Sequence, residues 1–347
     1  MDKLGVLGLI TEKGDKTSHS LILASGRYFT VVVTRLQDVY EGDRVAILDP
    51  ATTTNVVVPN GHVLHEPIKS FLDSFELSEQ TPKRMIDKPP KKESIDLRTT
   101  GENPVEIKVS GTLQSLEEDA VMFLTAYSAK GSGIVRLELD MLGQEGWFKA
   151  GEARSRKRLE NYVATRLTNA VRVYERESNP GDRNEDIVIR LPDISDEKFP
   201  MIFEEAYGPQ ACMPGGMTFL LDREEDVLIP ILTGICRARK ETGHSIGVMM
   251  PAITKKREAD RVGQLLNEVV YPELGMKEDE RIKSTVLIES PAAVDECKSI
   301  MEGQDACGIG TNDLTRFTFG LADRQGVNTL QFSPAVIGKV RAVSEEA

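Results

Sequence analysis

Apolar and polar positions follow two different rhythms along this chain. The first sixty or so residues carry short β-branched runs, VLGLIT (6–11), YFTVVV (28–33), DRVAILD (43–49) and TNVVVPN (54–60). A turn and short helix are predicted between the first two, at GDKTSHSLILAS (14–25). From about residue 101 the runs lengthen and alternate with helical periodicity. Strands are predicted at VEIKVS (105–110), GIVRLEL (133–139), DIVIRLPD (186–193), SIGVMMPAI (245–253), STVLIES (284–290) and ACGIGTND (306–313), with a further candidate at TLQFSP (329–334). Helical patterns fill 115–129, 151–176, 222–241, 255–271 and 291–303. Strand followed by helix, repeated six or seven times, predicts a parallel α/β sheet of the (β/α)₈ barrel type. Between the two rhythms lie IKSFLDSFEL (68–77) and the Pro- and Lys-rich TPKRMIDKPPKKES (81–94), the composition of a semi-stiff connector. The organisation expected is a small α/β unit over 1–66, a linker over 67–100 and a barrel over 101–347. His62 and His65, where the first unit gives way to the connector, are expected at the surface.

In a barrel of this type the chemistry collects at the C-terminal ends of the strands. Those ends carry Arg136 and Glu138, Arg190 and Asp193, Pro251, Glu289, then Asn312 and Asp313. The last pair belongs to DACGIGTNDLTRFTFGLADR (305–324), where Arg324 adds another guanidinium. Any one arginine here reads plainly as a surface salt-bridge partner, and GTND as an Asx turn. Several at strand ends, inside apolar runs, point instead to a small polyanion. Arg136, Arg190 and Arg324 would hold it with Asn312, while Glu289 and Asp313 hold Mg²⁺ against the same oxygens.

Thr17-Ser18-His19 is the one reactive feature of the first unit. A Thr or Ser there can cap the predicted helix, leaving amides that would suit a phosphorylated imidazole on His19. A half-exposed histidine beside a cap is the plainer reading. GLITEKGDKT (8–17) imitates a phosphate loop, but Asp15 separates its second glycine from Lys16. The loop chemistry needs lysine directly after that glycine, so the match is rejected.

Composition narrows the classes. A length of 347 residues with 40% hydrophobic content supports one large and one smaller core. The net charge of −12 argues against generic nucleic-acid binding. Cys212, Cys236, Cys297 and Cys307 have neither paired nor metal-ligand spacing and read as reduced thiols. No apolar run reaches membrane-spanning length and Met1-Asp2-Lys3 opens no signal peptide, so a soluble, cytoplasmic protein is expected.

GIGTNDLTRFTFGLADR (308–324) resembles a signature of the phosphoenolpyruvate-utilising phosphotransferases, the family of enzyme I of the sugar phosphotransferase system, pyruvate phosphate dikinase and phosphoenolpyruvate synthase. Gly308 stands where that signature usually has Ser, and Arg316 where it has Gln. TVLIESPAA (285–293) is similar to the family's metal-ligand strand, and GIVRLEL and IVIRLPD to its two arginine-bearing strands. GDKTSHSLI (14–22) resembles its swivelling phosphohistidine motif. The resemblance implies that His19 is phosphorylated by phosphoenolpyruvate, with Arg136, Arg190, Asn312 and Arg324 on the substrate and Glu289 and Asp313 on Mg²⁺. It also implies a swinging linker, a separate ATP-binding or phosphocarrier chain as partner, and a homodimer.

The chain departs from the family pattern in several places. CMPGGMTFLLD (212–222) has Gly215 where the family carries another arginine. No cysteine follows Arg324, where the family's general acid is expected, and a barrel short of one strand–helix unit is therefore expected. The histidine unit reads as short at its start, and no ATP-grasp region is present. The leading expectation is a Mg²⁺-dependent phosphotransferase. The alternative is a phosphoenolpyruvate-binding or regulatory protein that has lost turnover. A carbon–carbon lyase ranks last because it leaves the TSH motif without a role.

Overall fold

The structure is a computed structural model. It describes residues 108–113, 116, 132–138, 149–177, 186–193, 216–321 and 327–347, and four short strands nearer the start. His19, Gly215, Arg324 and the Pro- and Lys-rich connector lie outside the described residues. The chain divides into two compact units, Met1–Pro90 and Lys91–Ala347.

In the first unit β1 (Gly8–Thr11) pairs in parallel with β2 (Phe29–Val32). β3 (Val45–Leu48) pairs antiparallel with β4 (His62–His65). The first three match the β-branched runs. β4 does not: no strand is predicted over 62–65, yet His62 and His65 bound one, in register with Leu48 and Val45. HVLH has apolar residues only at its centre, so its strand character comes from ladder hydrogen bonding to β3 rather than from local pattern.

The second unit is built on six parallel strands: β5 (Val109–Gly111), β6 (Ser132–Arg136), β7 (Ile187–Arg190), β8 (Ile246–Met250), β9 (Lys283–Ile288) and β10 (Ala306–Ile309). They lie side by side in chain order, the order of a barrel wall. Every residue of β8 is buried, the mark of a strand covered on both faces. Among the described residues, β5 and β10 are the edges.

Helices cover the wall. α1 (Ala153–Glu177) packs against α3 (Ile229–Thr242), and α2 (Gly216–Leu221) precedes a π-helical turn at Glu224–Leu228 that leads into α3. Leu159, Val163, Leu167, Val171 and Tyr174 recur every three or four residues on α1 and are all buried with Ile231, Leu232 and Ile235 of α3. The two helices approach closely at Gly234, where a Cβ would stand 2.8 Å from the Glu160 carbonyl and 2.8 Å from Val163 Cβ. α4 (Lys256–Leu265) continues through a second π-helical turn into α5 (Tyr271–Leu274). α6 (Pro291–Asp295) and α7 (Cys297–Met301) follow β9, with Ser290 capping α6 by accepting a hydrogen bond from the Ala293 amide at 3.1 Å.

Two expectations near the C-terminal end fail. The strand predicted over 306–313 stops at Ile309, and Asn312 and Asp313 lie in the first turn of α8 (Thr311–Phe319). Gly310 (φ −84°, ψ 79°) leaves extended geometry there, and burial of Leu314 and Thr315 holds the new helix down. TLQFSP is no strand either. Its first residues end α9 (Val327–Leu330), and Ser333 caps α10 (Pro334–Glu346), whose Val336 and Val343 are buried. Among the described residues no helix is long and apolar enough to cross a membrane.

Candidate active site

The C-terminal strand ends bring together most of the charged residues singled out from sequence. Arg136 and Arg190 end adjacent strands and are register partners. Arg190 is only 6% exposed. One of its terminal nitrogens, Nη1, donates to Glu138 Oε1 at 3.0 Å, and the other, Nη2, to Asp193 Oδ2 at 2.7 Å. Burial works against the charged guanidinium, but Glu138, Asp193 and Glu289 around it hold its pKa above the ordinary value. Its Nε–H is buried and has no hydrogen-bond partner among the described residues. A buried donor left over costs about 1–3 kcal/mol.

Glu289 follows β9 and is 5% exposed. Its Oε1 accepts the backbone N–H of Ala252 at 2.6 Å. Ala252 lies just beyond β8 with φ 50°, a left-handed conformation uncommon for a residue with a side chain. That conformation aims its amide at Glu289 and is a local strain of the kind found at functional sites. Gly310 makes room on the other side. A Cβ at Gly310 would stand 2.6 Å from Glu289 Cβ and 2.7 Å from Oε2. Burial pushes the Glu289 carboxyl up to about 7; Arg190 and the Ala252 amide pull it down, and Asp193 and Asp313 push it further up.

Asp313 is the third residue of α8, where the helix N-terminus favours negative charge. Its Oδ1 lies 3.5 Å from Nε of Arg316, one turn further along. Asn312 is half-buried beside it. Four carboxylates (Glu138, Asp193, Glu289, Asp313) thus meet Arg190 and its neighbours at one end of the sheet. Glu138 and Asp193 were read from sequence only as strand-end residues, and their part in fixing Arg190 required the fold. No sequence signal marked Ala252.

The donor set suits Mg²⁺. No group of three or more His, Cys, Asp or Glu that could hold a metal occurs among the described residues. Glu289, just after β9, and Asp313, in the first turn of α8, nonetheless offer hard oxygens, and Mg²⁺ is commonly held by one or two carboxylates with substrate oxygens and waters completing the shell.

A family model described as the PEP-utilising enzyme, PEP-binding domain, matches residues 115–347, which include Arg136, Arg190, Glu289 and Asp313. The chain belongs to the phosphoenolpyruvate-utilising enzymes. It is 24% identical over 350 residues to a multiphosphoryl transfer protein of Xanthomonas campestris pv. campestris, covering 99% of this chain and 37% of that protein. With a phosphoenolpyruvate-protein phosphotransferase of Mycoplasma pneumoniae it shares 25% identity over 339 residues, 94% of this chain and 51% of that one. A 99-residue stretch is 33% identical to a probable phosphoenolpyruvate synthase of Methanocaldococcus jannaschii, covering 28% of this chain and 8% of that protein. The chain spans about half the length, or less, of these relatives.

Proposed function

We propose that this chain moves a phosphoryl group between phosphoenolpyruvate and His19, with Mg²⁺ held by Glu289 and Asp313. The observation that carries the reading is Arg190: a buried guanidinium fixed by two carboxylates, with one donor unspent, beside the Glu289 carboxylate. Arg190 would bind the phosphate or carboxylate of the substrate, and Arg136, its register partner, the other end. Asn312 and Arg324 complete the anion-binding set implied by the family signature. A bound Mg²⁺ would neutralise the charge that builds on the transferred group and on the enolate oxygen. The imidazole of His19 attacks phosphorus, the bond between phosphorus and the bridging enol oxygen breaks, and the electron pair stays on that oxygen as the enolate of pyruvate; the reverse step regenerates phosphoenolpyruvate. Catalysis of this kind is mainly positioning and charge neutralisation, which the preset Arg190 supplies without reorganisation.

The partner that takes or gives the phosphoryl group on the other side is proposed to be a separate phosphocarrier or ATP-binding chain, with the 67–100 segment as connector and a homodimer as the assembly. The test is incubation with Mg²⁺ and labelled phosphoenolpyruvate. Acid-labile label is expected on wild type and absent in His19→Ala; an unlabelled wild type overturns the reading.

A second reading is favoured by Gly215, which leaves the site one guanidinium short of the family pattern. In it the chain binds phosphoenolpyruvate and does not turn it over. Calorimetry showing binding together with absence of label selects it.

A further inference from the structure

Arg316 has no part in the site as proposed so far, although its guanidinium reaches Asp313. The pair is three residues apart on α8, with Nε 3.5 Å from Oδ1. A pair of this spacing on an open helix face is worth little, because water and salt screen it. This one is largely covered: the Arg316 side chain is 23% exposed and that of Asp313 13%. Nε of Arg316 is itself buried and makes no hydrogen bond among the described residues. The contact is therefore Coulombic and not locked, unlike the grip of Glu138 and Asp193 on Arg190 at 3.0 and 2.7 Å. The guanidinium also lies 4.6 Å over the ring centre of Phe317, a face on which a cation can rest when it leaves a carboxylate.

We propose that Arg316 is an internal counter-cation to Asp313, and that a divalent cation must displace it to reach that carboxylate. The inference rests on the assignment of Asp313 as a metal ligand. Its consequence is a metal affinity set by competition between two cations for one carboxylate. Removing the positive charge at 316 strengthens metal binding, whereas the loss of an ordinary structural ion pair would leave it unchanged or weaken it.

The test uses the full chain with Mn²⁺ alone as the probe, binding being followed by electron paramagnetic resonance and calorimetry without substrate. Arg316→Gln is expected to bind Mn²⁺ about three- to tenfold more tightly than wild type, the scale of one partly screened charge pair. Arg316→Lys, which keeps the charge, should stay close to wild type. The gap between Gln and wild type should narrow as salt rises. Arg316→Met is expected to match Arg316→Gln and replaces it if thermal melts show the Gln variant unfolded. Equal or weaker Mn²⁺ binding in the uncharged variants overturns the proposal. Asp313→Asn separates the two levels of inference: if it abolishes wild-type Mn²⁺ binding, the metal assignment stands whatever Arg316 does. If neither wild type nor the uncharged variants bind Mn²⁺, both are overturned.

Discussion

The two sides of the strand-end cluster solve the same electrostatic problem in opposite ways. On the β6–β7 side one buried cation, Arg190, is held by two carboxylates at hydrogen-bonding distance. On the β9–β10 side the buried carboxylate of Glu289 has a backbone amide as its hydrogen-bond donor and Asp313 as a like-charged neighbour. The first arrangement neutralises its cation with protein charges and leaves one buried donor, Nε of Arg190, without a partner among the described residues. In the second, burial raises the carboxyl's pKa, and the Arg190 cation and the Ala252 amide offset it only in part. A buried cation can be held by protein charges alone, while a buried carboxylate with fewer compensating partners keeps its proton to higher pH.

The sharpest way to break this contrast is Arg190→Met, which keeps bulk and removes charge. Glu138 and Asp193 would be left buried without their cation, a loss of about 3–5 kcal/mol in urea unfolding. Phosphoenolpyruvate binding by calorimetry should vanish with it; retained binding would show that the anion site lies elsewhere.

Glu289→Gln comes next and acts through pH. The folded-state pKa of about 7 lies above the ordinary 4.5, so the folded chain keeps this proton where the unfolded chain has lost it. Wild type therefore loses stability as pH rises across that window, and the loss is complete above it. In a chelator, the Gln variant should be more stable than wild type by about 3 kcal/mol at pH 8 and similar to it below pH 4.5. A difference that does not change with pH would refute the buried-charge account.

Gly310→Ala is the smallest perturbation. The new methyl would meet Glu289 Cβ at 2.6 Å and Oε2 at 2.7 Å, so one of them must shift. A cost of about 1–3 kcal/mol is expected, with weaker Mn²⁺ binding as Glu289 leaves the Ala252 amide. Unchanged Mn²⁺ affinity would remove Glu289 from the metal site.

Much of this was legible in the chain before any fold was known. Apolar runs ending in charge place Arg136 and Arg190 at the ends of β6 and β7 and Glu289 just after β9, because a buried parallel strand is apolar along its length and turns polar where it leaves the core. The GTNDL stretch reads from sequence as the end of a strand and instead opens α8. A local pattern of small residues fits a strand as well as a helix start, and only burial of Leu314 and Thr315 decides between them. TLQFSP failed for a similar reason, since its β-branched and aromatic residues were outweighed by the capping serine and Pro334. β4 could not be read at all, because HVLH owes its conformation to β3.

The sequence by itself determined the alternating strand–helix order, the family and the set of charged strand ends, since these depend on periodicity and residue chemistry along one dimension. Tertiary structure alone decided which charges neutralise one another. Glu138 and Arg190 are 52 residues apart in the chain and 3.0 Å apart in space, and Ala252 and Glu289 are 37 residues apart and 2.6 Å. Coulomb and hydrogen-bond energies depend on distance and burial, neither of which is written in sequence separation.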